Sequence, residues 1–153
     1  MKEKFISTVK RIIKREGIED LLDYLETTDF YEAPASSMYH GNYKGGLVEH
    51  SLNVFGMLSG SSSYASSEYS LETLAIVSLF HDLCKANTYK IEMRNVKEDG
   101  VWKQVPSYKV NEEYPFGHGE KSVYLIMKHM KLTDEEALAI RWHMGGFDSA
   151  VKG

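Results

Sequence analysis

Residues 71–85 read LETLAIVSLFHDLCK, and this stretch decides how the chain is organised. Residues 71–80 are apolar almost all round, which is the composition of a buried helix rather than a surface one. The run closes on His81-Asp82, with Lys85 three residues further on. An imidazole beside a carboxylate at the end of a buried helix costs free energy unless something compensates both groups. Leu74, Val77 and His81 share one helical face, so His81 is expected to point inward. Three other histidines stand in similarly loaded contexts: His50 in GGLVEHSLNV, His118 in PFGHGEKS and His143 in AIRWHMGGF. Imidazoles and a carboxylate converging from several helices are what a divalent ion needs. The expectation is a metal site drawn from His50, His81, Asp82, His118 and His143.

The flanking chain reads as its scaffold. Residues 2–15 place Phe5, Val9, Ile12 and Ile13 on one face, a helix that Gly17 is expected to end. Its basic polar face is read as packing rather than membrane contact. Ile18 to Glu26 forms a second helix with Leu21, Leu22 and Leu25 inward. Residues 28–46 are rich in Gly, Ser and Tyr and read as an irregular connection. Gly45-Gly46 then opens a helix from about Leu47 to Leu58, with Leu47, His50, Val54 and Leu58 on one stripe, so His50 also faces the interior. Residues 59–70 read as the end of that helix and a loop.

Beyond the central stretch, Tyr89, Ile91 and Met93 alternate with polar residues, Asp99-Gly100 marks a turn, and Val101, Lys103 and Val105 resume the alternation. This is a β-hairpin, expected to end near Pro106, that either covers a site as a lid or decorates the fold. Glu120 to Met130 has helical spacing. Thr133 to Glu136 is a capping box that starts a last helix bearing Ala137, Ile140 and His143, closed by Gly145-Gly146. The chain is therefore expected to be a single all-α domain over 1–153 with a small inserted hairpin at about residues 88–110.

Composition narrows the function. A chain of 153 residues with 42% hydrophobic content supports one core. A net charge of −4 and a pI near 5.9 offer no basic face for a long nucleic acid. A small phosphorylated ligand such as a nucleotide, or an oligonucleotide end, stays compatible, because a bound metal adds local positive charge. The single cysteine, Cys84, excludes an intramolecular disulfide and a thiolate zinc cluster, and is read as a small packing residue. No apolar run nears the roughly 20 residues of a membrane span, and the charged start MKEKFISTVKRIIKREG is not signal-like. A soluble, cytoplasmic protein is expected.

Imidazoles plus a carboxylate, with coordination positions left for water and a phosphate oxygen, are what a metal-dependent phosphohydrolase requires. Asp82 would ligate or bridge the metal. Lys85, one turn on, would pair with a substrate phosphate or steady the leaving oxygen. His40 and Lys44, in the loop before His50, are candidates for substrate contact. Glu49 and Glu120 are candidates for orienting an imidazole. His129 is read as a solvated helix residue and Trp142 as core.

These motifs resemble the HD superfamily of metal-dependent phosphohydrolases over roughly residues 34–148. His50 matches the family's first motif, and His81-Asp82 with Lys85 its central one. PASSMYHGNYKGGLVEHSLNV is similar to the segment before the first histidine of HD-type bacterial 3′→5′ exoribonucleases and their relatives. His118 and His143 fall where two-metal members carry extra histidines. The resemblance implies one or two divalent ions, with manganese, iron, nickel, cobalt, zinc or magnesium not distinguished. The family's last metal-binding aspartate usually follows on a further helix. Here Asp148 is the aspartate left after His143, so either it takes that role or a C-terminal helix is missing. The resemblance also leaves open a non-catalytic nucleotide- or metal-binding regulatory domain, or a di-iron oxygenase with the same ligands.

Overall fold

The computed structural model of the chain describes residues 1–60 and 68–145. Six α-helices lie in the described residues: α1 (Lys2–Ile12), α2 (Ile18–Glu26), α3 (Gly46–Gly60), α4 (Leu71–Phe80), α5 (His118–Met127) and α6 (Asp134–Arg141). A 3₁₀ turn, Leu83–Lys85, follows α4, and a two-stranded antiparallel sheet, β1 (Tyr89–Glu98) and β2 (Val101–Val110), stands between that turn and α5.

The all-α class does not hold. The molecule is mixed, about half helical with a full antiparallel hairpin. The strands pair from Tyr89 opposite Val110 to Glu98 opposite Val101. Pro106 does not end the second strand, as its position suggested; it sits opposite Met93 inside the ladder. Proline is tolerated there because both strands are edges, and its missing N–H need not face a partner.

The core is centred on Phe5 of α1. Its ring lies 5.2 Å from Phe30, 5.8 Å from Phe80 and 5.9 Å from Tyr31, measured between centroids. These contacts fasten the N-terminal helix and the 28–46 connection to the end of α4. Val9, Ile13, Leu21, Leu25, Leu47, Ile76 and Leu79 belong to the same cluster, all at most 1% exposed. Burying each such side chain is worth about 1.5–3 kcal/mol. The first helix ends at Ile12, earlier than Gly17, which instead stands at the N-cap of α2.

Backbone bonds make the 28–46 connection a fixed structure. Gly45 N–H donates to the Glu32 carbonyl at 2.9 Å, Leu47 N–H to that of Ala33 at 3.0 Å, and Ala35 N–H to that of Gly41 at 2.8 Å. Gly46 has no room for a side chain, since a Cβ there would lie 2.1 Å from the Gly41 carbonyl oxygen. The start of α3, and with it His50, is thereby pinned against the loop that carries His40.

Helix α3 packs on α4, α5 on α6 and on the 3₁₀ turn, and α4 on α6. Helices α4, α5 and α6 and the 3₁₀ turn thus form one packed group, which α4 joins to α3. No helix among the described residues is long and apolar enough to cross a membrane.

Candidate metal centre

Three ligand atoms converge where α4 ends beside α3. His81 Nε2 lies 3.3 Å from His50 Nε2 and 3.4 Å from Asp82 Oδ2, and that oxygen is 3.4 Å from His50 Nε2. Among the described residues, this is the set of histidine, cysteine, aspartate and glutamate ligands close enough to share an ion. Atoms separated by 3.3, 3.4 and 3.4 Å sit about 1.9 Å from their common centre. An ion slightly off their plane therefore meets all three at the roughly 2.0–2.2 Å of imidazole and carboxylate ligation. The residues present fit a metal.

Local structure explains why the atoms point there. His81 caps α4, and its Nδ1–H donates to the Ser78 carbonyl at 2.8 Å, one of the carbonyls left over at the end of the helix. That bond places the lone pair on Nε2, the ligand atom. His143, just beyond α6, repeats the device: its Nδ1–H donates to the Ile140 carbonyl at 2.6 Å. The spacing to the carbonyl three residues back is the signal in the sequence that would have found both supports.

Asp82 has bridge-region backbone angles (φ −101°, ψ 19°), which turn the chain from α4 into the 3₁₀ turn. In a 3₁₀ turn, side chains three residues apart eclipse. Lys85 is accordingly brought over Asp82, with Nζ 2.9 Å from Oδ2. The other carboxylate oxygen lies 3.2 Å from His143 Nε2. At 3% exposure, Asp82 is the negative group at the middle of this assembly.

The electrostatics follow. Burial alone would raise the Asp82 carboxyl, but hydrogen bonds with His143 and His81 and the nearby Lys85 ammonium outweigh it and hold it well below the usual carboxylate range. Burial, aided by the Lys85 charge, lowers His50 against the pull of Asp82, so it is neutral and able to ligate at neutral pH. His143 goes the other way. Burial would lower it, yet the bonds to Asp82 and the Ile140 carbonyl raise it above 6.5. Both ring nitrogens face acceptors, which favours the protonated form.

The remaining sequence candidates separate. His118 is exposed at the start of α5, and burial of its ring with the charge of Lys85 lowers it. Asp82 and His143 also act on it, so it stands at the rim of the centre, outside the close group of three. The His40 ring lies 5.6 Å from that of His50. Lys44 faces solvent and pairs with Glu32 at 3.1 Å. Glu49 accepts a hydrogen bond from the Tyr43 hydroxyl, and Glu120 pairs with Arg141 at 2.6 Å, so both carboxylates engage groups other than an imidazole. Asp148 lies outside the described residues. His129 is half-buried rather than solvated, stacked on Tyr24 at 4.7 Å and 2.6 Å from Asp20. Trp142 is partly exposed, 46%, with Arg141 over its ring.

Two supports were not legible beforehand. Cys84 N–H donates to Ser122 Oγ at 3.0 Å, which fastens the 3₁₀ turn to α5. Lys121 is buried and donates to Glu112 at 2.7 Å and Thr88 at 3.1 Å, tying the chain on both sides of the hairpin to α5. The Cys84 thiol is pushed up to about 12, first by burial and then by the Asp82 charge, so it is no nucleophile.

Comparison of the chain with protein-family models, with curated proteins and with solved structures finds no match in any of the three. What class of protein it belongs to must come from the centre itself.

Proposed function

We propose that the chain is a metal-dependent phosphohydrolase of the HD type, cleaving a phosphomonoester or phosphodiester bond of a nucleotide or of an oligonucleotide end. One observation carries the reading: two imidazole nitrogens and a carboxylate oxygen meet at ion-binding separations, with a lysine 2.9 Å from the same carboxylate. A divalent ion bound there supplies a water that ionises near neutral pH and positive charge for the phosphoryl oxygens.

The chain's own groups divide the work. His50 and His81 present lone pairs that their surroundings keep unprotonated or correctly directed. Asp82 fixes Lys85 close to the reacting position, where its ammonium pairs with a phosphate oxygen and steadies the leaving group. Because His143 lies 3.2 Å from the second oxygen of Asp82 and His118 stands at the rim, these two histidines are the ones that would hold a second ion. An imidazole-rich set without thiolate suits manganese, iron, cobalt, nickel or zinc better than magnesium.

The test is hydrolysis of p-nitrophenyl phosphate and bis(p-nitrophenyl) phosphate by metal-loaded protein. Activity is expected to disappear with chelator and in His81→Ala and Asp82→Ala. Turnover that persists in either variant contradicts the proposal.

A further inference from the structure

A cavity of about 510 Å³ opens between the hairpin and the loop that carries His40. That size lies within the roughly 300–1,000 Å³ typical of small-molecule sites. Met38, Asn42 and Tyr43 line it from the loop, and Arg94, Ser107 and Tyr108 from the hairpin.

Its position relative to the centre is set by bonds already described. Tyr43, one wall of the cavity, donates its hydroxyl to Glu49, the residue immediately before His50. His40, from the same loop, has its ring 5.6 Å from that of His50. On the hairpin side, Tyr108 stands edge-on to Tyr89 at 6.4 Å between centroids. Tyr89 is half-buried and begins β1, which follows the 3₁₀ turn Leu83–Lys85 beside Asp82. An aromatic pair therefore joins the start of the hairpin, just after the turn that carries Lys85, to the cavity.

The lining has a definite chemistry. Two tyrosines and a methionine offer flat or polarizable faces to a planar ring. Arg94 is a fixed cation with a fork that matches a phosphate. Neighbouring carboxylates on the hairpin are taken: Glu92 pairs with Lys109 and Glu98 with Lys103, each at 3.3 Å. Among the described residues, no hydrogen bond or ion pair engages the Arg94 guanidinium.

We propose that this cavity is a nucleotide-recognition pocket, in which a base stacks against Tyr108 and Tyr43 and Arg94 takes a phosphate other than the one at the metal centre. The ligand it fits carries two phosphates separated by a nucleoside, as at the end of an oligonucleotide. Placing the first phosphate at His50, His81 and Asp82 rests on the phosphohydrolase reading. Affinity of the pocket for the rest of the ligand does not. The hairpin is thereby a wall of the binding site, and its length is used.

The experiment is calorimetric titration of the full chain, in chelator, with 5′-phosphorylated diadenylate, adenosine and inorganic phosphate as probes. Wild-type protein is expected to bind the dinucleotide more tightly than either fragment. Arg94→Gln should weaken that binding about tenfold, the worth of one charge-assisted pair, and Tyr108→Ala about tenfold through lost stacking. Lys97→Gln, nearer the hairpin turn, should leave it unchanged. Arg94 is exposed, so its variant keeps the fold and decides the matter even if Tyr108→Ala does not. Absence of dinucleotide binding, binding within twofold in Arg94→Gln, or equal affinity for phosphate alone would overturn the pocket. Arg94-dependent binding with no turnover after metal loading supports the pocket and removes the hydrolase reading.

Discussion

Replacing Asp82 by asparagine keeps the shape of the side chain and removes the charge on which its neighbours depend. At 3% exposure the carboxylate lies 2.9 Å from Lys85 Nζ, 3.2 Å from His143 Nε2 and 3.4 Å from both His50 and His81. Hydrogen bonds to charged groups contribute about 1.5–3 kcal/mol each. Lys85 retains some exposure and can swing into water, so the two charged contacts together are worth about 2–4 kcal/mol rather than their full sum. For a chain of this size that corresponds to a fall of roughly 5–12 °C in Tm. The pH dependence gives a second check. A carboxyl held below its ordinary 3.8 contributes stability that is present above that value and is lost as pH falls through the folded pKa. A histidine raised above 6.5 contributes stability that is complete below 6.5 and is lost as pH rises through the raised value. The gap between wild type and Asp82→Asn should thus be widest from pH 3.8 to 6.5 and narrow on both sides. Thermal unfolding followed by circular dichroism in chelator measures it. An asparagine variant as stable as wild type throughout that window would refute the reasoning.

Other perturbations separate the scaffold from the centre. The Glu136 side chain is fully buried and accepts from Arg15 and, at 2.9 Å, from Thr73, while capping α6 at Thr133. Glu136→Ala should cost about 3–5 kcal/mol in urea unfolding, yet leave the metal content of folded protein unchanged. Gly119 is where α5 meets α6: a Cβ would lie 2.0 Å from the Arg141 carbonyl oxygen. Gly119→Ala should part His118 from His143 and lower phosphodiesterase turnover by about tenfold or more, with the ion at His50, His81 and Asp82 retained. Because the contacts of His143 favour its protonated form, its proton competes with metal if it ligates. Apparent affinity should then fall about tenfold for each pH unit below its raised pKa, with proton release visible in weakly buffered titrations.

The centre was legible where chemistry and periodicity agree. An apolar run ending in His81-Asp82 has few ways to satisfy both groups, and the α3 stripe put His50 inward. The Thr133-to-Glu136 box is also formed as the spacing indicates, with both reciprocal bonds. Buried charge was not legible. Glu136 and Lys121 look like surface residues, because their partners Arg15, Thr73, Glu112 and Thr88 are distant in sequence or separated by the hairpin. His129 looked solvated for the same reason, its partners Tyr24 and Asp20 lying on another helix. The all-α expectation failed on the hairpin. Its alternation was visible, but Pro106 was read as a stop, whereas an edge strand has no need of the missing donor. The cavity was hidden too, since it needs the loop and the hairpin brought face to face.

Metal content per chain, by elemental analysis of protein purified without chelator beside an Asp82→Ala control, is the most direct measurement. At least one tightly held divalent ion in wild type and none in the control is the expected result. Wild-type protein that takes up no ion even from added manganese or nickel, or a control that keeps its ion, would contradict a centre built on His50, His81 and Asp82.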